Sequence, residues 1–165
     1  MSKTEKDKKD PKEAKAPTVI AENRKANFDY HVIDTFEAGI VLLGTEIKSI
    51  REGGVSLRES FCKVTGSEVF LWNAHIAPYS HRGSAEHDAT RTRKLLLRRD
   101  EINKLIGKTV EKGLTLVPLR MYLKNGRAKV AVALARGKNV RDKRETIRRR
   151  EADRETRAAV KTRQR

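Results

Sequence analysis

The sequence predicts a mainly β domain, a small antiparallel barrel of about six strands with flanking helices. Three observations predict it. Short alternating or continuous apolar runs recur between turn signals. Two of those turns carry hairpin chemistry: Gly66-Ser67 puts Gly first, as a type II′ turn requires, and Asn125-Gly126 is the strongest two-residue hairpin signal in the chain. One clear helical pattern falls between late strands. Short antiparallel strands in a chain of 165 residues point to a closed or nearly closed barrel, and a barrel interrupted by a helix is OB-like.

Residues 1–20 are rich in Lys, Asp, Glu, Ala and Pro without apolar periodicity, which predicts a disordered leader. The body spans 21–136. Phe28, Tyr30 and Val32 alternate with Asp29, His31 and Ile33 as in a half-buried strand. Glu37-Ala38-Gly39 reads as a break before the apolar run Ile40 to Leu43. Thr45 to Arg51 alternates again and stops at Gly53-Gly54. Phe61 to Thr65 and Glu68 to Trp72 bracket the first hairpin turn, and Asn73 to Ile76 prolongs the second of these strands until Pro78. A polar loop over 77–90 leads to Arg91 and the run Leu95-Leu96-Leu97. Asp100 is a plausible N-cap for a helix with Ile102, Leu105, Ile106 and Val110 on one face. Gly107 is a possible interruption of it and Gly113 its end. Leu114 to Leu123 reads as a strand in which Pro118 argues for an edge or a bulge, and its hairpin partner is Ala128 to Ala135.

The chain carries 38 Lys and Arg against 22 Asp and Glu, a net charge of +16. Residues 1–17 contribute +2, residues 18–136 contribute +7, and residues 137–165 contribute the remaining +7. Charge of this size predicts polyanionic partners, RNA first, with DNA and an anionic membrane surface behind it. The tail, 137–165, has no Pro and too few apolar residues for a buried stripe, so it is expected to be disordered alone and helical once a polyanion neutralises it. One cysteine, Cys62, excludes an internal disulfide and suits a reducing compartment. No apolar run nears the ~18–20 residues of a membrane span, and the first residues lack a secretory signal, so the protein is read as cytoplasmic.

Four histidines (His31, His75, His81, His87) match no zinc-ligand spacing, Cys62 has no partner of a nucleophilic site, and no phosphate-binding glycine loop is present. No metal, cofactor or catalytic constellation is expected. The nucleic-acid signals are stronger. Arg91, Arg93, Lys94, Arg98 and Arg99 cluster in the body, with Arg91 and Arg93 pointing the same way on a strand, spaced to grip neighbouring phosphates. Lys124, Arg127 and Lys129 surround the Asn125-Gly126 turn. The eight aromatic residues mostly alternate inside strands and read as core, which favours phosphate and shape recognition of a folded RNA over base stacking.

Several stretches taken together resemble the SmpB family of bacterial SsrA-binding proteins: Phe36-Glu37-Ala38-Gly39-Ile40, Gly44-Thr45-Glu46-Ile47-Lys48-Ser49-Ile50-Arg51, Asn73-Ala74-His75-Ile76, Thr90-Arg91-Thr92-Arg93-Lys94-Leu95-Leu96-Leu97, Tyr122-Leu123-Lys124-Asn125-Gly126 and Asp142-Lys143-Arg144. The blocks run in order from about Ala21 to Arg157. The resemblance implies an OB-like barrel with flanking helices that binds the tRNA-like domain of transfer-messenger RNA (tmRNA) and enters stalled ribosomes to start trans-translation. It implies a monomer on the RNA, indirect partnership with elongation factor Tu carrying alanyl-tmRNA, no membrane, no cofactor and no enzymatic activity.

By position it makes Asn23, Lys25, Glu37, Leu96 and Lys129 RNA-binding residues, with Arg91, Arg93 and Lys94 beside them on charge. It places the tail in the decoding centre and the empty message channel, with Gly137, Lys138, Arg141, Asp142, Lys143, Arg144 and Ile147 as ribosome contacts. Arg141 stands where some relatives carry a stacking His or Tyr, and a guanidinium plane also stacks. The alternatives are a ribosomal or translation-factor OB protein that binds rRNA, and a metal-dependent nuclease.

Overall fold

The computed structural model describes residues 16–79, 87–110 and 113–163. The first fifteen residues of the expected leader, and His81 and Glu86 of the polar loop, lie outside the described residues. Among the described residues the order is β1 (Thr18–Glu22), α1 (Arg24–Asp29), β2 (Tyr30–Ile40), α2 (Gly44–Arg51), β3 (Val55–Ser56), β4 (Phe61–Thr65), β5 (Glu68–Trp72), β6 (His75–Ile76), β7 (Arg93–Leu96), α3 (Arg99–Thr109), β8 (Leu114–Lys124), β9 (Arg127–Gly137) and α4 (Val140–Arg163).

Six strands pair in the cyclic order β8-β4-β5-β7-β2-β9, and β9 pairs back to β8, so the sheet closes on itself. All its pairings are antiparallel. β1 adds a seventh strand beside β8. The expected mainly β fold of about six strands with flanking helices is this ring. Its interior is filled by alternate residues of every strand, among them Ala38, Val69, Leu71, Leu95, Met121, Val130, Val132 and Leu134, together with Ile50 of α2 and Leu105 of α3. Closure removes the exposed strand edges that an open sheet of this size would present.

Both hairpins form as the turn residues predict. Thr65 pairs with Glu68 around Gly66 at φ +60, and Lys124 pairs with Arg127 around Asn125 (φ +52) and Gly126 (φ +73), the two positive values of a type I′ turn. The β8–β9 register shifts between Pro118 and Arg120, the bulge that a proline inside a strand demands.

Several expectations are corrected. β1 begins at Thr18, inside the expected leader, because Thr18 and Val19 already pair with Leu123 and Tyr122 of β8. Phe28 belongs to α1, whose N-cap is Asn23, and β2 starts at Tyr30. Glu37-Ala38-Gly39 is continuous strand rather than a break, paired to β9 throughout. Thr45 to Arg51 is helix, with Glu46, Ser49 and Ile50 buried at helical spacing. β5 ends at Trp72, because Asn73 adopts φ +55, and His75 and Ile76 form a separate strand with β3. Arg98, not Asp100, caps α3: its N–H donates to Glu101 Oε2 at 2.8 Å. Gly107 does not interrupt that helix, and Val110 faces solvent.

Candidate nucleic-acid interface

Strand register assembles one charged corner on the outside of the ring. Alternation sends Phe36 and Ala38 inward and Glu37 outward. Gly39 faces Leu96 of β7 on one side and Lys129 of β9 on the other. Lys129 in turn faces Tyr122 of β8. Glu37, Leu96 and Lys129, separated by up to 92 positions in sequence, thus share one surface.

Glu37 is the hub of that corner. Tyr122 donates its hydroxyl to Oε2 at 2.6 Å, Lys124 Nζ lies 3.0 Å from Oε2, and Lys129 Nζ lies 3.9 Å from Oε1. The Tyr122 hydrogen bond, then Lys124, holds the carboxyl below the usual glutamate value. Burial, and then the same bond to Glu37, pushes the Tyr122 phenol up to about 12. The carboxylate is therefore ionised at neutral pH, half-exposed and aimed, with two ammonium groups beside it. Such an arrangement accepts from base or ribose donors while its cations meet phosphates.

Beside the hub lies a shallow apolar groove formed by Gly39, Ile40, Leu42, Leu43, Ile47 and Leu96 and rimmed by Arg127 and Lys129. Leu96 is 52% exposed. A side chain at Gly39 would bring its Cβ to 3.3 Å from the Leu96 Cβ, so glycine lets β2 and β7 approach there and keeps the groove open.

The remaining expected residues divide. Lys25 is exposed on α1, with Nζ 3.9 Å from Glu59. Asn23 is buried: its Oδ1 accepts from the Ala26 N–H at 3.0 Å, and its own N–H donates to the Leu119 carbonyl at 2.7 Å. Asn23 therefore shapes the first turn of α1, on which Lys25 stands. This end sits at the Leu119 level of β8, three residues or roughly 10 Å along the strand from Tyr122.

Arg91 and Arg93 are corrected more sharply. Arg93 is fully buried, and all three of its guanidinium nitrogens are engaged: Nε with Glu46 Oε1 at 2.8 Å, Nη1 with the Ala74 and Arg91 carbonyls, Nη2 with the Asp88 and Ala89 carbonyls. Arg91 grips the same Glu46 by Nε at 2.8 Å and Nη2 at 2.5 Å. Burial would raise the Glu46 pKa, but the bonds from Arg91, the Leu43 N–H and Arg93 outweigh it and hold the carboxyl below its usual value. Arg93 has no surface left for phosphate. The pair instead bolts α2 to β7, the strand that presents Leu96. Lys94, on the other face of β7, bonds Glu68 at the surface.

His87, expected in a polar loop, is buried between the Thr45 hydroxyl at 3.0 Å from Nδ1 and the Ile76 carbonyl at 3.2 Å from Nε2. Cys62 is a buried core residue, and burial pushes its thiol up, away from the reactive range. Among the described residues no group of His, Cys, Asp and Glu is arranged to hold a metal, and no helix is long and apolar enough to cross a membrane.

The tail leaves the ring where Gly137 still pairs with Tyr30. Lys138 donates its N–H to the Asp29 carbonyl at 2.8 Å, and Lys143 Nζ lies 2.8 Å from the Asp29 carboxylate. From there α4 extends, its Asp142 Oδ2 accepting from the Asn139 N–H at 3.3 Å in the first turn, where a negative charge suits the helix dipole. Arg141, Arg144 and Ile147 are exposed.

Sequence reasoning missed Tyr122 as part of the corner, and missed the groove beside Leu96. The strand pairing β8–β9–β2–β7 that assembles them leaves no local trace. The only signal was the run Leu95-Leu96-Leu97, of which strand alternation must turn one residue outward.

A family model described as SmpB protein matches residues 20–162. The chain is similar to the SsrA-binding protein of Geobacillus kaustophilus (strain HTA426), 59% identical over 146 residues that cover 88% of this chain and 94% of that one. It is also similar to the SsrA-binding protein of Bacillus subtilis (strain 168), 55% identical over 143 residues, covering 87% and 92%. A solved structure described as "tmRNA-SmpB: a journey to the center of the bacterial ribosome" is similar with a TM-score of 0.62 at 48% identity, covering 78% of this chain and 94% of that one.

Proposed function

The chain belongs to the SmpB family, and from that premise we propose that it is the RNA-binding adaptor that carries tmRNA into stalled ribosomes for trans-translation. The observation that carries the molecular reading is the Glu37 corner. An ionised carboxylate held by Tyr122, two ammonium groups and an exposed Leu96 stand together on a rigid closed sheet. That combination recognises the shape and backbone of a folded RNA through phosphate contacts, with the carboxylate and Leu96 supplying direction.

In this reading the Glu37 corner and the Lys25 end hold the tRNA-like domain. The tail, through Lys138, Arg141, Asp142, Lys143, Arg144 and Ile147, engages the ribosome's decoding centre and its empty message channel. The protein works as a monomer on the RNA in the cytoplasm, meets elongation factor Tu only through the charged RNA, and performs no catalysis of its own.

Filter binding of the full chain to tmRNA and to an unrelated tRNA tests the proposal. A clear preference for tmRNA is expected. Equal affinity would instead favour a general rRNA- or tRNA-binding protein.

A further inference from the structure

The outer face of the β4–β5 hairpin bears an exposed aromatic stack. Phe61 and Trp72 are direct cross-strand partners whose ring centroids lie 6.3 Å apart with planes 6° from parallel. They remain 40% and 37% exposed. Two residues along, roughly 7 Å, Lys63 faces Phe70 and Phe70 faces Lys94, a row that crosses three strands. The alternation that sends Cys62, Val69, Leu71, Arg93 and Leu95 inward sends all five of these residues outward.

At its other end the stack runs into the Lys25 cleft. Phe61 lines that cleft with Asn23, Lys25, Tyr30, Glu59 and Ser60. Glu59, which faces Lys25, sits at φ +62, a conformation that non-glycine residues adopt rarely. Near-parallel flat rings with ammonium groups on both flanks match one ligand chemistry well: an unstacked nucleobase with its adjoining phosphates. An aliphatic protein partner would gain nothing from the parallel planes or from the lysines.

We propose that Phe61 and Trp72 form a stacking platform for an unpaired base of the RNA that the Lys25 cleft holds, with Lys63 and Lys94 on the flanking phosphates. The platform deepens the RNA-binding reading above and rests on it. It also alters the mode of recognition, adding base stacking to shape and phosphate contacts.

Trp72 is the only tryptophan in the chain, so emission excited selectively at tryptophan, beyond the tyrosine absorption band, reports this patch alone. The test titrates the full-length protein with the transcribed tRNA-like domain of tmRNA, following Trp72 emission and acrylamide access in parallel with filter binding. Emission should change, and acrylamide access fall, over the same RNA concentrations that saturate the filter. Phe61→Leu and Trp72→Leu should each weaken binding about 5- to 160-fold, the range for losing one base–aromatic stack, while Trp72→Phe restores most of it and all variants melt near the wild type. Normal filter binding with unchanged emission and unchanged affinity of both Leu variants overturns the platform and leaves the RNA reading standing. Self-association lost in the Leu variants, with RNA affinity intact, also overturns it by assigning the face to a second copy. Failure of the wild type to prefer this RNA removes both.

Discussion

Tyr122 reaches over strand β9 to bond Glu37 at 2.6 Å, joining β8 to β2, two strands that are not neighbours at that point in the sheet. The bond makes the carboxylate part of the scaffold rather than a mobile surface acid. Replacing Tyr122 by Phe should cost about 1 kcal/mol of stability, the usual net worth of a hydrogen bond. The same change should lower RNA affinity several-fold, because Glu37 keeps its charge and loses its aim. Glu37→Gln should lower affinity while leaving the melting temperature nearly unchanged. Equal RNA affinities for wild type and both variants would remove the corner from the interface.

The Glu46 carboxylate and the Arg93 guanidinium are buried together. Removing either partner leaves an uncompensated charge inside the domain, so Glu46→Ala or Arg93→Ala should each destabilise by roughly 3–5 kcal/mol. The double change Glu46→Ala, Arg93→Ala should cost less than the sum of the two, because neither member of the pair is left unpaired, although Arg91 is then released. Denaturant midpoints of the three variants check this, and strict additivity would contradict it.

Acid stability follows from the same carboxylate. The Glu46 pKa is lowered on folding, so around pH 4 the unfolded chain binds more protons than the native one and stability rises with pH. The contribution is complete above the ordinary glutamate value, ~4.3, and is lost as pH falls through the lowered native value. Denaturant midpoints measured from pH 2.5 to 6 should show an acid-side decline that Glu46→Gln flattens. An unaltered decline in the variant would assign acid sensitivity elsewhere.

Ending the chain after Arg136 should leave specific affinity for tmRNA close to that of the full protein, because the corner and the Lys25 end both lie upstream of the tail. Peptide tagging on stalled ribosomes should be abolished. A large loss of RNA affinity on truncation would move the primary RNA contact into α4.

RNA affinity should also fall steeply with salt, with a log–log slope of about 0.7–0.9 per phosphate contact. Lys25→Ala and Lys129→Ala should each reduce that slope by nearly one contact. A flat response would exclude the electrostatic reading of the body.

The parts of the fold legible in sequence were those decided locally. The Gly66-Ser67 and Asn125-Gly126 turns and the Pro118 bulge each depend on the backbone preferences of one or two residues, and each forms as read. The reading of α2 as a strand failed because the helix buries an acid. Glu46 looks like a surface residue in any hydrophobicity pattern, and its partners stand 45 and 47 positions later. Arg93 was misread for the complementary reason: nothing local distinguishes an arginine turned into the core from one turned to solvent, and Arg91, expected on the same strand, lies just before β7. Phe61 and Trp72 were assigned to the core because most strand aromatics are buried; their exposure depends on which face of β4 and β5 lines the ring. For the candidate interface, the family resemblance supplied Glu37, Leu96 and Lys129, and the pairing of β7, β2 and β9 brings these residues, so distant in sequence, to one surface.

Strand β9 closes the ring and passes into α4 with Gly137 still in register, and this junction makes the tail a tethered reagent. A helix of 24 residues reaches about 36 Å from its root. Wherever the ring is seated, its polycation is confined to that radius, so a channel within reach meets it at an effective concentration on the order of millimolar. A loose copy of the same peptide would have to find that channel by diffusion. In the proposed reading, docking of the ring would therefore set both where the tail searches and when the search begins.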